Sequence, residues 1–135
     1  MCIRDSAQLA QDPLAAAGLL AVIDDWKGIE AVFVASPGTI DGDAYYSLLP
    51  LAEGLERTGH ALGATLVYRA LLESILGRAR AKTYHHGADY WHRLAQIAQQ
   101  PIDYGAIETP GDFAQRIRER HKRKPAFWAA VGRSR

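Results

Sequence analysis

Cysteine occurs once in the 135 residues, as Cys2, and methionine once, as Met1. A lone cysteine cannot close an intrachain disulfide or build a cysteine-based metal site. A reducing, cytoplasmic setting is therefore expected. No apolar run approaches the roughly 18 residues that a membrane span needs, so no membrane partner is expected. Leu14 to Ile23 is the longest early apolar stretch, but it follows Asp12 and lacks a basic leader, which makes it a poor secretory signal. There is no glycine-rich phosphate loop, no nucleophile elbow and no pair of carboxylates at a spacing of defined geometry. Asp24 and Asp25 are neighbours, and helix neighbours point about 100° apart. The expectation is a protein with no catalytic residue, no cofactor and no enzymatic activity.

What the chain does contain suits one domain. Hydrophobic residues make up 48% and charged residues 23%, enough for a core with an ordinary wet surface. The net charge of +1 hides an asymmetry. Residues 1–68 hold three bases against nine acids, a net of −6, and residues 69–135 hold thirteen against six, a net of +7. Such a separation either steers a charged partner or lets oppositely charged helices neutralise each other side by side.

The dominant stretch is Leu62 to Ala81. Ala64, Val67, Tyr68, Leu71, Leu72, Ile75 and Ala79 recur at the three-and-four spacing of one helix face. Leu62, Leu66, Ala70 and Leu76 widen the stripe, so cover on more than one side is expected. Arg69, Glu73 and Arg78 read as the wet face, with Arg69 and Glu73 one turn apart and able to pair. About twenty residues at 1.5 Å each span roughly 30 Å, the width of a small domain.

Other helices follow from their punctuation. Asp12-Pro13 starts one that runs to about Asp24. Asp25 caps the next, with Trp26, Ile29, Val32 and Phe33 on one face. Its AVFVA segment has strand propensity, but its surroundings favour helix, and Ser36-Pro37-Gly38 ends it. Asp41-Gly42-Asp43 turns into Ala44 to Thr58, where Pro50 should kink or split the helix. Gly59 suits a left-handed C-terminal cap. Thr83 caps a helix reaching about Gln99, with Tyr84, Ala88, Trp91, Leu94, Ala95 and Ala98 inward. Pro101 terminates it. Thr109-Pro110-Gly111-Asp112 reads as a capping box, followed by Phe113, Ile117 and His121 on a narrow stripe. Pro125 opens a last turn in which Trp128 is expected to anchor the C-terminus.

The expected fold is all-α, with antiparallel helix pairs stacked as a tetratricopeptide-like or related helical repeat. Leu51, Ala52, Leu55, Gly59, Ala64, Tyr68, Leu71 and Leu72 resemble one tetratricopeptide unit, although its closing proline is missing and the second helix is too long. Asp25 to Trp128 resembles an uncharacterised bacterial family of helical proteins, a domain of unknown function. Arg78, Lys82, Tyr84, His86, Ala88 and Tyr90, then His121, Arg123, Lys124, Phe127 and Trp128, carry that resemblance. The Asp41-Gly42-Asp43 turn and Leu71-Leu72 fit it too. The histidine that usually stands near Pro110 is absent. The resemblance implies a helical-repeat-like bacterial intracellular protein with further helices before residue 7, and it implies no activity. Residues 1–6, MCIRDS, resemble a translated sequencing-adapter string. The expectation is a single domain over 7–135, the C-terminal part of a larger helical protein.

Two clusters remain as candidate contact sites. At the junction R-x-K-x-Y-H-H, His86 and His92 are six apart, about 600° along a helix, and so face different ways. Asp89 stands four after His85, and no further carboxylate completes a zinc spacing, so no metal is expected. The other cluster is the basic run from Arg116 to Lys124. The expected function is a non-enzymatic protein-interaction module of unidentified protein partner. Its binding residues would be Arg78, Lys82, Tyr84, His86, Arg120, His121, Arg123 and Lys124. The alternative is a nucleic-acid-associated module in which Arg116, Arg120, Lys122, Arg123 and Lys124 neutralise phosphates and Phe127 and Trp128 stack bases.

Overall fold

The computed structural model describes residues 20–35, 40, 45–78, 81–105 and 107–133. The adapter-like string at 1–6, the start of the first helix at Asp12-Pro13, the turns at Ser36-Pro37-Gly38 and Asp41-Gly42-Asp43, and Ala79 lie outside those residues. The described chain is all-α. We label its helices α1 (Trp26–Ala35), α2 (Tyr45–Arg57), α3 (Ala61–Arg78), α4 (Tyr84–Ile97), α5 (Pro110–His121) and α6 (Pro125–Arg133), with a 3-10 turn at Ala81–Thr83 before α4. No strand occurs among the described residues, so AVFVA is helical.

The ends of the helices follow local chemistry. The Asp25 carboxylate accepts from the Gly28 N–H at 3.0 Å and caps α1. Gly59, at φ 83°, closes α2, with the His60 N–H reaching back to the Leu55 carbonyl at 2.8 Å. At α5 the Thr109 hydroxyl accepts from the Asp112 N–H at 3.3 Å. Thr83 makes no side-chain cap bond to α4, and the 3-10 turn leads the chain in instead. Helix α2 runs unbroken through Pro50. The donor that proline lacks would have served Tyr46, in the first turn, and Pro50 itself sits on the exposed side.

Helix α3 is the centre of the packing. Helices α2 and α3 form an antiparallel hairpin, as do α3 and α4, and α1 also lies on α3. Ile29, Phe33, Leu48, Leu55, Val67, Leu71, Leu72 and Leu76 are buried at these contacts. Small residues set the closest approaches. The Trp26 ring lies where a side chain on Gly54 would stand, and Gly63 faces Glu30. Glu30 Oε2 accepts from the Gly63 N–H at 3.0 Å, so a carboxylate of α1 satisfies the N-terminus of α3.

Helix α4 meets α6 with both chains running the same way. Tyr84 packs edge-on against Phe127 at 5.8 Å, Trp91 against Trp128 at 5.3 Å, and His92 Nε2 donates to the Val131 carbonyl at 2.7 Å. This parallel pair differs from a purely antiparallel succession, because α5 intervenes and returns the chain to its starting end. Phe127, which is 0% exposed, is the more deeply buried anchor of the C-terminus, with Trp128 packed beside it. Trp128 is half-buried and gives its indole N–H to the His121 carbonyl at 3.0 Å.

Arg69 departs most from expectation. It is 7% exposed, not on a wet face. Its Nη1 donates to the Glu108 carbonyl at 2.7 Å, and Glu73 pairs with Arg116 at 2.6 Å instead of with Arg69. Helix α5 and the loop before it cover the side of α3 that carries Arg69.

Phe127→Ala should cost about 3–5 kcal/mol of unfolding free energy, because it empties a fully buried ring site. Trp128→Ala should cost less. Urea denaturation of the two variants checks the order, and an inverted order would place the C-terminal anchor at Trp128.

Candidate ligand cleft and basic end

The space between α5 and the α3–α4 hairpin is a cleft of about 330 Å³. Helix α3 contributes Thr65 and Arg69, α4 contributes Trp91, Leu94, Ala95 and Ala98, and the intervening loop contributes Tyr104. Helix α5 closes it with Pro110, Gly111, Phe113, Ala114 and Arg118. Ala95 was expected to face the core, and it is exposed because the cleft passes it. Tyr90 takes a buried place beside Tyr68, with ring centroids 5.8 Å apart.

Three guanidinium groups lie over the aromatic walls, with Arg116 5.3 Å from the Phe113 ring centre. Arg69 sits 4.7 Å from the Phe113 ring centre, and Arg118 sits 5.4 Å from that of Trp91. Burial pulls Arg69 below the usual arginine range, and the nearby Glu108 opposes that pull. An arginine nevertheless keeps its charge at neutral pH. The Tyr104 hydroxyl is buried among these groups, and burial pushes its pKa up, so it remains a proton donor. Arg116 is committed elsewhere. It joins Glu73 on α3 to Glu108 in the loop, at 2.6 and 3.0 Å, and so fastens α5 down.

The second feature is a basic end. The Tyr84–Phe127 contact sets the turn at 81–83 beside the turn at 122–124. Lys82 and His86 from the first, and Arg120 and Arg123 around the second, are exposed, and Lys124 is half-buried. The His85 and His86 rings lie 3.9 Å apart. Arg78 is exposed at the end of α3, before the first turn. Tyr84 and His121 are each 7% exposed, so they position this end from inside and present little surface.

The sequence reading thus named the residues of the basic end and missed the cleft. Arg69, Trp91, Tyr104 and Arg118 come from two helices, a loop and a third helix. The one local signal was the apolar setting of Arg69 in LVYRALL, where a cation flanked by core residues demands cover. Among the described residues no group of three His, Cys, Asp or Glu is placed to hold a metal ion. No described helix is long and apolar enough to cross a membrane. The arrangement offers cations, aromatic rings and hydrogen-bond donors, which is chemistry for binding anions.

Residues 3–130 match the Family of unknown function (DUF6880), and the chain belongs to that family. No curated protein and no solved structure matches the chain.

His121 supplies a pH dependence. Burial holds its pKa below the usual 6.5, Lys124 and Arg120 push the same way, and Glu73 opposes them. The unfolded chain therefore takes the proton first. The contribution to stability is whole above about pH 6.5 and is lost as pH falls through the folded-state value. The urea midpoint should drop between about pH 7.5 and 5.5, and His121→Phe should reduce that drop. An identical drop in the variant would assign the dependence to other groups.

Proposed function

We propose that the chain is a non-catalytic helical binding module, its helix pairs stacked in the tetratricopeptide-like manner. Its working surface is the basic end, and its partner is an acidic protein segment. The observation that supports this reading is the packing of Tyr84 on Phe127 at 5.8 Å, which joins the start of α4, near Lys82 and His86, to the start of α6, near Arg123 and Lys124. Lys82, His86, Arg120 and Arg123 are exposed there. A concentration of exposed cations raises the encounter rate with an acidic partner and rejects basic ones.

The nucleic-acid alternative draws less support. Phe127 is fully buried, and Trp128 is held between Trp91 and the His121 carbonyl, so neither ring is presented for stacking on bases. Arg116 is engaged by two glutamates.

Anisotropy of a labelled oligo-glutamate peptide, beside labelled single-stranded RNA and duplex DNA, tests the choice across a salt series. The peptide should bind, and the double variant Arg120→Glu with Lys124→Glu should weaken it by about tenfold or more. Absence of peptide binding at low salt would overturn the proposal. Tight nucleic-acid binding with a steep salt slope, flattened in the double variant, would replace it with the alternative.

A further inference from the structure

Among the described residues, two polar groups of the cleft under α5 lack hydrogen-bond partners. Arg69 is 7% exposed, and its Nε meets no acceptor among the described residues. Its Nη1 is taken by the Glu108 carbonyl, which brings no net charge to balance the guanidinium. Glu108 and Glu73 favour its charge from nearby, but their carboxylates are bonded to Arg116 and make no hydrogen bond to Arg69 Nε. The buried Tyr104 hydroxyl also has no partner among the described residues. A buried donor left without an acceptor is costly, and more so when it is charged. No carboxylate lines the cleft, and Arg118 adds a second cation beside Trp91.

We propose that this cleft binds a small organic carboxylate with a flat apolar body. The carboxylate meets Arg69 Nε and the Tyr104 hydroxyl, and the body lies along Trp91 and Phe113. A carboxylate is the acceptor that a guanidinium edge fits best, and it brings the one negative charge that a single buried cation can balance. A phosphate dianion would set three oxygens against a lining that is apolar away from Arg69, Tyr104 and Arg118. The apolar lining excludes a bare inorganic anion as the best occupant, because Leu94, Phe113 and the alanines would stay wet around it. The volume of about 330 Å³ falls at the small end of the range for organic ligand sites, roughly 300–1,000 Å³. The site shares no residue with the basic end and does not rest on that reading.

Calorimetric titration of the full chain with naphthoate, and with neutral naphthamide as the matched control, tests the site. Naphthoate should bind at one saturable site, and naphthamide about tenfold more weakly or worse. Arg69→Met should lose about tenfold in naphthoate affinity, and Tyr104→Phe a smaller factor in the same direction. Circular dichroism establishes that each variant is folded. If Arg69→Met fails to fold, the naphthamide comparison and Tyr104→Phe decide. Absence of saturable naphthoate binding would overturn the proposal. So would equal binding of the amide, or unchanged affinity in the folded variants.

Discussion

A helix buried on every side must be walled on every side, and α3 imposes that condition on the rest of the chain. From Gly63 to Arg69 each successive residue is buried. Successive side chains turn by about 100°, so these positions face all round the helix axis. No single partner helix can cover them. Helix α1 takes the side of Gly63, α2 and α4 flank the middle as antiparallel neighbours, and α5 covers Arg69. The order of helices around the core follows from this one enclosed segment.

Enclosure also decides where the polar groups go. Thr65 returns its hydroxyl to the Ala61 carbonyl within the helix. Tyr68 donates to Glu56 at 3.3 Å, and Glu56 is held by Arg93 at 3.0 Å. Burial and that carboxylate push the Tyr68 hydroxyl well above its usual value, so it stays protonated. An exposed ion pair such as Glu56–Arg93 adds only about 0–1 kcal/mol. A buried hydroxyl with no acceptor costs about 1–3 kcal/mol. The pair therefore matters chiefly through the group it orients. It also joins an acid of the negative half to a base of the positive half, one place where the charge asymmetry of the sequence is met by packing.

Local signals were legible and distant ones were not. Asp25, Gly59 and Thr109 mark their helix ends because a cap acts within three or four residues. Phe113, Ile117 and His121 show their inward face because a solvated helix has a narrow apolar stripe. In α3 the same reasoning failed at Arg69. Apolar residues nearly surround the first half of that helix, so periodicity defines no wet face there, and of Arg69, Glu73 and Arg78 only the last two reach solvent. The Glu30 carboxylate at the start of α3 acts from 33 residues away, with no local pattern to announce it. The parallel run of α4 and α6 was hidden because the connection between them contains a whole helix. The residues named for the basic end were singled out by charge and aromatic content alone, and periodicity did not show that Tyr84 and His121 among them are buried.

The cleft follows from the choice of residue at position 69. Helices approach to about 8–10 Å between axes, depending on the side chains at the contact. Helix α4 comes close to α3 where Gly87 lies against Ile75 and Leu72. Helix α5 meets α3 through longer groups, with Arg69 over the Phe113 ring and Arg116 bridged to Glu73. Those side chains hold α5 off from α3. The facing positions Ala95, Ala98, Gly111 and Ala114 are too small to fill the gap. A leucine at position 69 would carry no charge to cover and would let α5 settle closer. The arginine thus ties to itself the loop and helix that bury it, and it stands in the wall of the cleft they leave.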